Sequence, residues 1–256
     1  MQTHKMPHKA IILAAGLGKR MMPLTAKKPK PLIEVGGVPL IDRTLANLNN
    51  TSIETAVINV HYMANMMEAH LHKKPGNLNI KISDERDNLL NTGGGIAKAL
   101  PLLGNDPFFS INSDVIWADC DPDEDALKNL AKNYDGEDEV HLLIIKTKEA
   151  FGYFGQGYFG KGDFYLNDNK SLEWRRGRDF APYMFGGIAL MSRKLFTGRE
   201  IKPFSSLEIL KDAQSKGKLF GHVHRGRWYH VGCPQAVKDI DILLQIHGDN
   251  YPKEGG

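Results

Sequence analysis

At 256 residues, 41% hydrophobic and 25% charged, the chain has the size of one large α/β domain and an ordinary globular composition. It contains no run of about 18 apolar residues, and residues 1–8 lack the apolar core of a signal peptide, so neither a membrane partner nor secretion is expected and the expected location is cytoplasmic. Thirty-three cations against thirty anions give no nucleic-acid footprint; two cysteines, Cys120 and Cys233, outside any Cys-x-x-Cys pair, give neither a zinc ribbon nor a disulfide framework.

In chain order, residues 9–15 form a short apolar run ending at Gly16, as a buried parallel strand does. Leu40, Ile41, Leu45 and Leu48 recur at helical spacing over 40–50, and 55–60 reads as a second strand. A helix carrying Met63, Met66, Met67 and His70 follows, then a strand over 78–82. Gly93-Gly94-Gly95 opens a helix over 96–103, and a strand over 107–112 ends at Ser113-Asp114. This alternation predicts an α/β fold with a doubly wound, mainly parallel but mixed sheet and helices on both faces. In such sheets ligands bind beyond the carboxyl ends of the strands. The Gly16 loop, the Gly93 loop and Asp114 all fall at such ends.

The second half is less regular. A strand over 139–146 precedes a glycine- and aromatic-rich loop at 152–162, and residues 164–166 and 171–174 make a small β-hairpin around Asn167-Asp168-Asn169-Lys170. A strand over 183–191, a helix over 206–215, strands over 219–224 and 227–231 that pair with each other, and a helix over 234–246 complete the reading. The expected organisation is a disordered tail (1–8), one domain (9–247, halves 9–115 and 116–247) and a C-terminal tail (248–256).

The chemistry is concentrated after the first strand, in Gly16-Leu17-Gly18-Lys19-Arg20-Met21-Met22-Pro23-Leu24-Thr25. A dinucleotide fingerprint needs glycine where Met21 stands, and a P-loop needs Ser or Thr where Arg20 follows Lys19. What remains is a small-residue loop whose backbone N–H groups can approach a phosphate, with Arg20 able to fork onto its oxygens. In Lys28-Pro29-Lys30-Pro31-Leu32 the prolines hold Lys30 on an extended strap, so Arg20 and Lys30 can converge on one phosphate chain. The alternative is a solvated basic loop. Asp119-Cys120-Asp121 fits an Asp-x-Asp metal pattern but sits in an acidic run, and His222-x-His224 reads equally as surface histidines or a zinc pair.

Leu13-Ala14-Ala15-Gly16-x-Gly18-x-Arg20-Met21-x-Pro23-Leu24-Thr25 with Pro29-Lys30-Pro31-Leu32 resembles the signature of sugar-1-phosphate nucleotidyltransferases. Within that family the chain most resembles the N-acetylmuramate-1-phosphate uridylyltransferases of peptidoglycan recycling. The likeness is carried by Asn91-Thr92-Gly93-Gly94-Gly95-Ile96, Asn112-Ser113-Asp114-Val115, Gly160-Lys161-Gly162-Asp163-Phe164, Phe185-Gly186-Gly187-Ile188 and 224–232. The resemblance implies a Rossmann-like nucleotidyltransferase fold that moves UMP from UTP to N-acetylmuramate-1-phosphate and releases pyrophosphate, as a monomer or homodimer. It implies Leu13, Ala14, Ala15, Gly16, Gly18, Lys19, Thr92, Gly93, Gly94 and Asn112 at the nucleotide, the two glycines where a side chain would collide with the base. Arg20, Lys30 and Asp114 are the implied catalytic residues, Asp114 as a ligand of Mg²⁺ (or Mn²⁺), with Glu85, Gly187 and Arg175 as implied substrate-binding residues. His230 stands where the family's Trp-x-Asp-x-Gly metal motif has its aspartate, which makes it a second candidate ligand. In-line phosphoryl chemistry needs cations and positioning rather than a protein nucleophile, which suits this set. A hexose-1-phosphate guanylyl- or uridylyltransferase, a non-catalytic sugar-nucleotide sensor and a glycosyltransferase are the rival readings.

Overall fold

Ala10, Ile11 and Ile12 of the strand Lys9–Leu13 are fully buried, because helices cover this strand on both faces. A computed structural model describes residues 6–73, 77–119, 125–132, 134–136, 138–151 and 160–247. Its elements are β1 (Lys9–Leu13), β2 (Glu34–Val35), β3 (Val38–Pro39), α1 (Leu40–Asn49), β4 (Thr55–Val60), α2 (Ala64–Leu71), β5 (Asn79–Asp84), α3 (Asn91–Leu103), β6 (Phe108–Asn112) and β7 (Val115–Ala118). There follow α4 (Ala126–Ala131), β8 (Val140–Lys146), β9 (Phe164–Leu166), β10 (Leu172–Trp174), β11 (Tyr183–Met191), α5 (Ser206–Ser215), β12 (Leu219–Val223), β13 (Arg227–His230) and α6 (Pro234–His247).

The central sheet runs β5-β4-β1-β6 in parallel, and β11 joins antiparallel to β6. β8 pairs antiparallel with β11 and parallel with β12, and the β9–β10 hairpin joins β11 at Tyr183↔Phe164. Strand alternation divides the core. Ile12 and Ile58 pack with Leu45, Met67 and Leu130 from α1, α2 and α4, whereas Ile11 and Val57 pack with Ile96, Leu100 and Leu210 from α3 and α5. A third cluster buries Ile240 and Leu244 of α6 against Val35, Ile116 and Val231. The doubly wound, mixed sheet expected from the sequence is present.

Three local expectations change. The strands expected over 219–224 and 227–231 do not pair with each other: β12 pairs with β8, and β13 pairs with β7. β7 lies directly after Asp114, and the sequence reading assigned it no strand, so β13's true partner was missing. Helix α3 begins at Asn91 and takes all three glycines into its first turns rather than opening after them. Residues 6–8, expected within a disordered tail, are held: Met6 packs on the core, and His8 O accepts hydrogen bonds from Glu54 N (2.8 Å) and Thr55 N (3.1 Å). Residues 1–5, 120–124, 152–159 and 248–256 lie outside the described residues, and with them most of the tails, the glycine-aromatic loop and the Asp-x-Asp pattern.

Candidate active site

Beyond the carboxyl ends of β1, β4 and β6 lies a groove of about 690 Å³. One wall is the loop over 13–21. Gly18 adopts φ +62°, a conformation that favours glycine, and an added Cβ there would stand 2.8 Å from Thr25 Cγ2 and 3.3 Å from Lys30 Cβ. The Thr25 hydroxyl donates to Gly18 O (2.9 Å) and Met21 N donates to the same oxygen (2.8 Å). Buried Met21 anchors the loop in the core while Lys19 and Arg20 stay exposed, and both line the groove. Gly16 has no heavy atom within 4 Å of where its Cβ would sit, so the loop backbone is open to the groove there.

Lys30 and Asp114 meet across the groove floor. Lys30 Nζ donates to Asp114 Oδ2 at 2.7 Å, and His230 Nε2 lies 3.3 Å from the same oxygen. The β7–β13 ribbon makes this meeting: His230 pairs with Val115, next to Asp114, and Val231 N donates to Asp114 O (2.8 Å). Burial pushes the Asp114 carboxyl up, but the Lys30 ammonium, helped by the His230 imidazole, outweighs it and holds the group well below the usual carboxylate range. Asp114 is therefore ionised at neutral pH. Both contacts use Oδ2, which leaves Oδ1 with no protein donor among the described residues. No group of three His, Cys, Asp or Glu that could hold a metal occurs among those residues. A single carboxylate oxygen beside a loop with exposed Lys19 and Arg20 nevertheless fits Mg²⁺, which keeps several waters and takes substrate phosphates as its other ligands.

The far wall is the start of α3. Gly93 N (2.9 Å) and Gly94 N (3.2 Å) donate to Phe204 O, Phe204 N donates to Leu90 O (3.2 Å), and Ser206 N donates to the Thr92 hydroxyl (2.8 Å). A Cβ on Gly93 would collide with the Phe204 ring, and one on Gly94 with the Lys202 carbonyl. The glycines expected to spare a nucleobase instead admit the 200–206 strap, and both are buried beneath it. Asn91, Thr92 and Pro203 are left facing the groove, with Asn112 on its floor.

Three residues expected at the substrate do not line this groove. Glu85 is 0% exposed, with one oxygen accepting from Asn59 Nδ2 (2.7 Å) and the other from Leu90 N (3.0 Å), so it cannot touch substrate directly. Arg175 turns onto its own hairpin loop, donating to Gly162 O (3.1 Å) and Arg178 O (2.6 Å). Gly187, at φ +81°, packs beside floor residue Asn112: an added Cβ would stand 2.9 Å from Val115 Cγ1 and 3.3 Å from Asn112 Cβ.

A family model described as nucleotidyl transferase matches residues 9–161. The chain is 39% identical to the N-acetylmuramate alpha-1-phosphate uridylyltransferase of Caulobacter vibrioides, over 93% of this chain and 97% of that protein. It is 33% identical to the protein of the same name from Neisseria meningitidis serogroup B, over 92% of this chain and 97% of that one. The chain belongs to the nucleotidyl transferase family. Its fold is shared with the inositol-1-phosphate CTP transferase of T. maritima, at a TM-score of 0.72 and 19% identity, covering 94% of this chain and 98% of that one.

In this nucleotidyl transferase the sequence reading missed Asn59, Asn91 and Pro203 as groove residues. Asn59 carried a usable signal, a polar residue near the carboxyl end of an otherwise apolar parallel strand. Pro203 carried none, because it reaches the groove from the other half of the chain.

Proposed function

We propose that the chain is a cytoplasmic sugar-1-phosphate uridylyltransferase, joining UMP from UTP to N-acetylmuramate α-1-phosphate with release of pyrophosphate. The observation that carries the reading is the Lys30–Asp114 pair (2.7 Å) on the floor of the groove that also holds Arg20. A positive loop, an ionised carboxylate and a strand-end groove are what an in-line displacement at an α-phosphorus requires. The activity of the two relatives, as their names state it, supports uridylyl transfer to N-acetylmuramate-1-phosphate.

In this mechanism the backbone over 14–18 and the Arg20 guanidinium hold the triphosphate, Arg20 being the exposed fork at the groove mouth. An oxygen of the sugar phosphate attacks the α-phosphorus, and the bond to the β-phosphate breaks with its electron pair, leaving pyrophosphate. Lys30 keeps Asp114 ionised and adds positive charge beside the transferring phosphoryl group. Asp114, with His230 beside it, would hold a divalent cation, Mg²⁺ or Mn²⁺, which when bound neutralises charge on the phosphates. No proton need leave the attacking phosphate at neutral pH, so the reaction requires no general base.

The test is stoichiometric. Incubation with UTP, N-acetylmuramate α-1-phosphate and Mg²⁺, followed by ³¹P NMR, should give pyrophosphate and a UDP-sugar in equal amounts. Release of orthophosphate, or no turnover with any nucleoside triphosphate, would refute it.

A further inference from the structure

Glu85 is a carboxylate at 0% exposure with no cation against it among the described residues. Its hydrogen-bond partners explain where it sits. Oε1 accepts from Asn59 Nδ2 (2.7 Å), Oε2 accepts from Leu90 N (3.0 Å), and the Asn59 amide oxygen accepts from Ala14 N (2.6 Å). A carboxylate can only accept, so the Asn59 amide has one permitted orientation, nitrogen toward Glu85 and oxygen toward Ala14. Ala14 belongs to one wall of the groove, and Leu90 lies between Leu89 and Asn91 of the other.

The chain makes room for this bridge at a third glycine. A Cβ on Gly95 would stand 2.7 Å from Glu85 Oε1 and 2.8 Å from Asn59 Nδ2. Gly93 and Gly94 therefore admit the strap, and Gly95 admits the polar bridge.

We infer that Glu85 is the positioning residue of the nucleoside end: through Asn59 on one side and Leu90 N on the other, it fixes the spacing and orientation of the two walls between which the nucleoside is held. The inference rests on the groove being the nucleotide site and deepens that reading. It assigns Glu85 no contact with substrate and no part in the chemical step.

Glu85→Gln keeps the shape but replaces one acceptor with a donor, so either Asn59 or Leu90 N then faces a donor. The expected result is a rise of about tenfold in KM for the triphosphate and in its Kd by calorimetry, with kcat and the KM for the sugar phosphate within about twofold. Glu85→Asp, which retains both acceptors, should recover part of the affinity. Gly95→Ala, acting from the opposite side, should reproduce the Glu85→Gln phenotype. If Glu85→Gln does not fold, Asn59→Ala decides, since it removes both the acceptor for Ala14 N and the donor to Glu85 Oε1 and so cuts the bridge at its middle.

Unchanged triphosphate affinity in the folded variants would overturn the inference. So would an equal fall in every kinetic constant that tracks lost thermal stability, the mark of a merely structural residue. The affinities are read on whichever triphosphate the wild type binds. A failure of the uridylyl reading would show in the wild type, a failure of this inference only in the variants.

Discussion

Gly94→Ala sets two effects against each other. Replacing glycine inside α3 favours the helix by roughly 0.5–1 kcal/mol, since alanine loses less backbone freedom on folding. Against this, the added Cβ would stand 3.0 Å from Leu90 Cβ and 3.2 Å from the Lys202 carbonyl carbon, and nearer still to its oxygen. That oxygen is backbone and cannot rotate away, so the strap over 200–206 must move. Its attachments are the hydrogen bonds to Phe204 O from Gly93 N and Gly94 N and those from Phe204 N and Ser206 N. Loss of two of them at about 1 kcal/mol each, plus overpacking of about 1–3 kcal/mol, exceeds the helical gain. A net loss of about 2–4.5 kcal/mol follows, read as a lower urea midpoint at unchanged slope. Because Pro203 lies on the strap and faces the groove, the KM for the triphosphate should rise as well. A variant as stable as the wild type, or more stable, would show that the strap does not press on α3 and would refute the reasoning.

Arg20→Ala should reduce kcat/KM by about 2–4 kcal/mol of transition-state stabilisation in a folded protein, and turnover within about threefold of wild type would remove Arg20 from the mechanism. His230→Ala should lower the rate at least about tenfold, or 1.4 kcal/mol, and His230→Asp should keep activity while shifting metal preference toward Mg²⁺, because imidazole suits softer ions than Mg²⁺. An unchanged rate and metal preference in His230→Ala would make the residue a packing partner of Trp228, with which it stacks at 6.2 Å. Burial, followed by the His141 and Lys170 charges, pushes the His222 imidazole down to about 4. Between its unfolded value near 6.5 and about 4 the unfolded chain binds more protons, so stability is lost as pH falls through that window. His222→Gln should flatten the denaturation midpoint between pH 7 and pH 4, and an unaltered slope would show that the ring titrates normally.

The first half of the fold was legible because its strands are apolar runs punctuated by glycine, and its helices carry apolar residues at helical spacing. Lys9–Leu13 and Thr55–Val60 are buried end to end or nearly so, and such strands announce themselves. The site's charged residues were legible for a related reason. Arg20, Lys30 and Asp114 sit at strand ends and on a proline strap, where a chain of this class presents its ligand contacts. What failed was anything decided by distant partners. β13 pairs with β7 across more than a hundred residues, and a two-strand ribbon looks the same in sequence whether its strands are neighbours or not. The triple glycine marked close approach, but local sequence cannot say what approaches; in the structure the strap meets Gly93 and Gly94, and the Glu85 carboxylate meets Gly95. Glu85 reads as a substrate acid because nothing adjacent shows that Asn59 and Leu90 N will satisfy both of its oxygens.

The most direct test of the account is the specificity of the triphosphate and sugar together. UTP, GTP, CTP and ATP are each assayed for pyrophosphate release with N-acetylmuramate α-1-phosphate, mannose-1-phosphate and glucose-1-phosphate in the presence of Mg²⁺. The account predicts the highest kcat/KM for UTP with N-acetylmuramate α-1-phosphate, abolished by Asp114→Asn. A higher kcat/KM for GTP with mannose-1-phosphate, or full activity in Asp114→Asn, would contradict it.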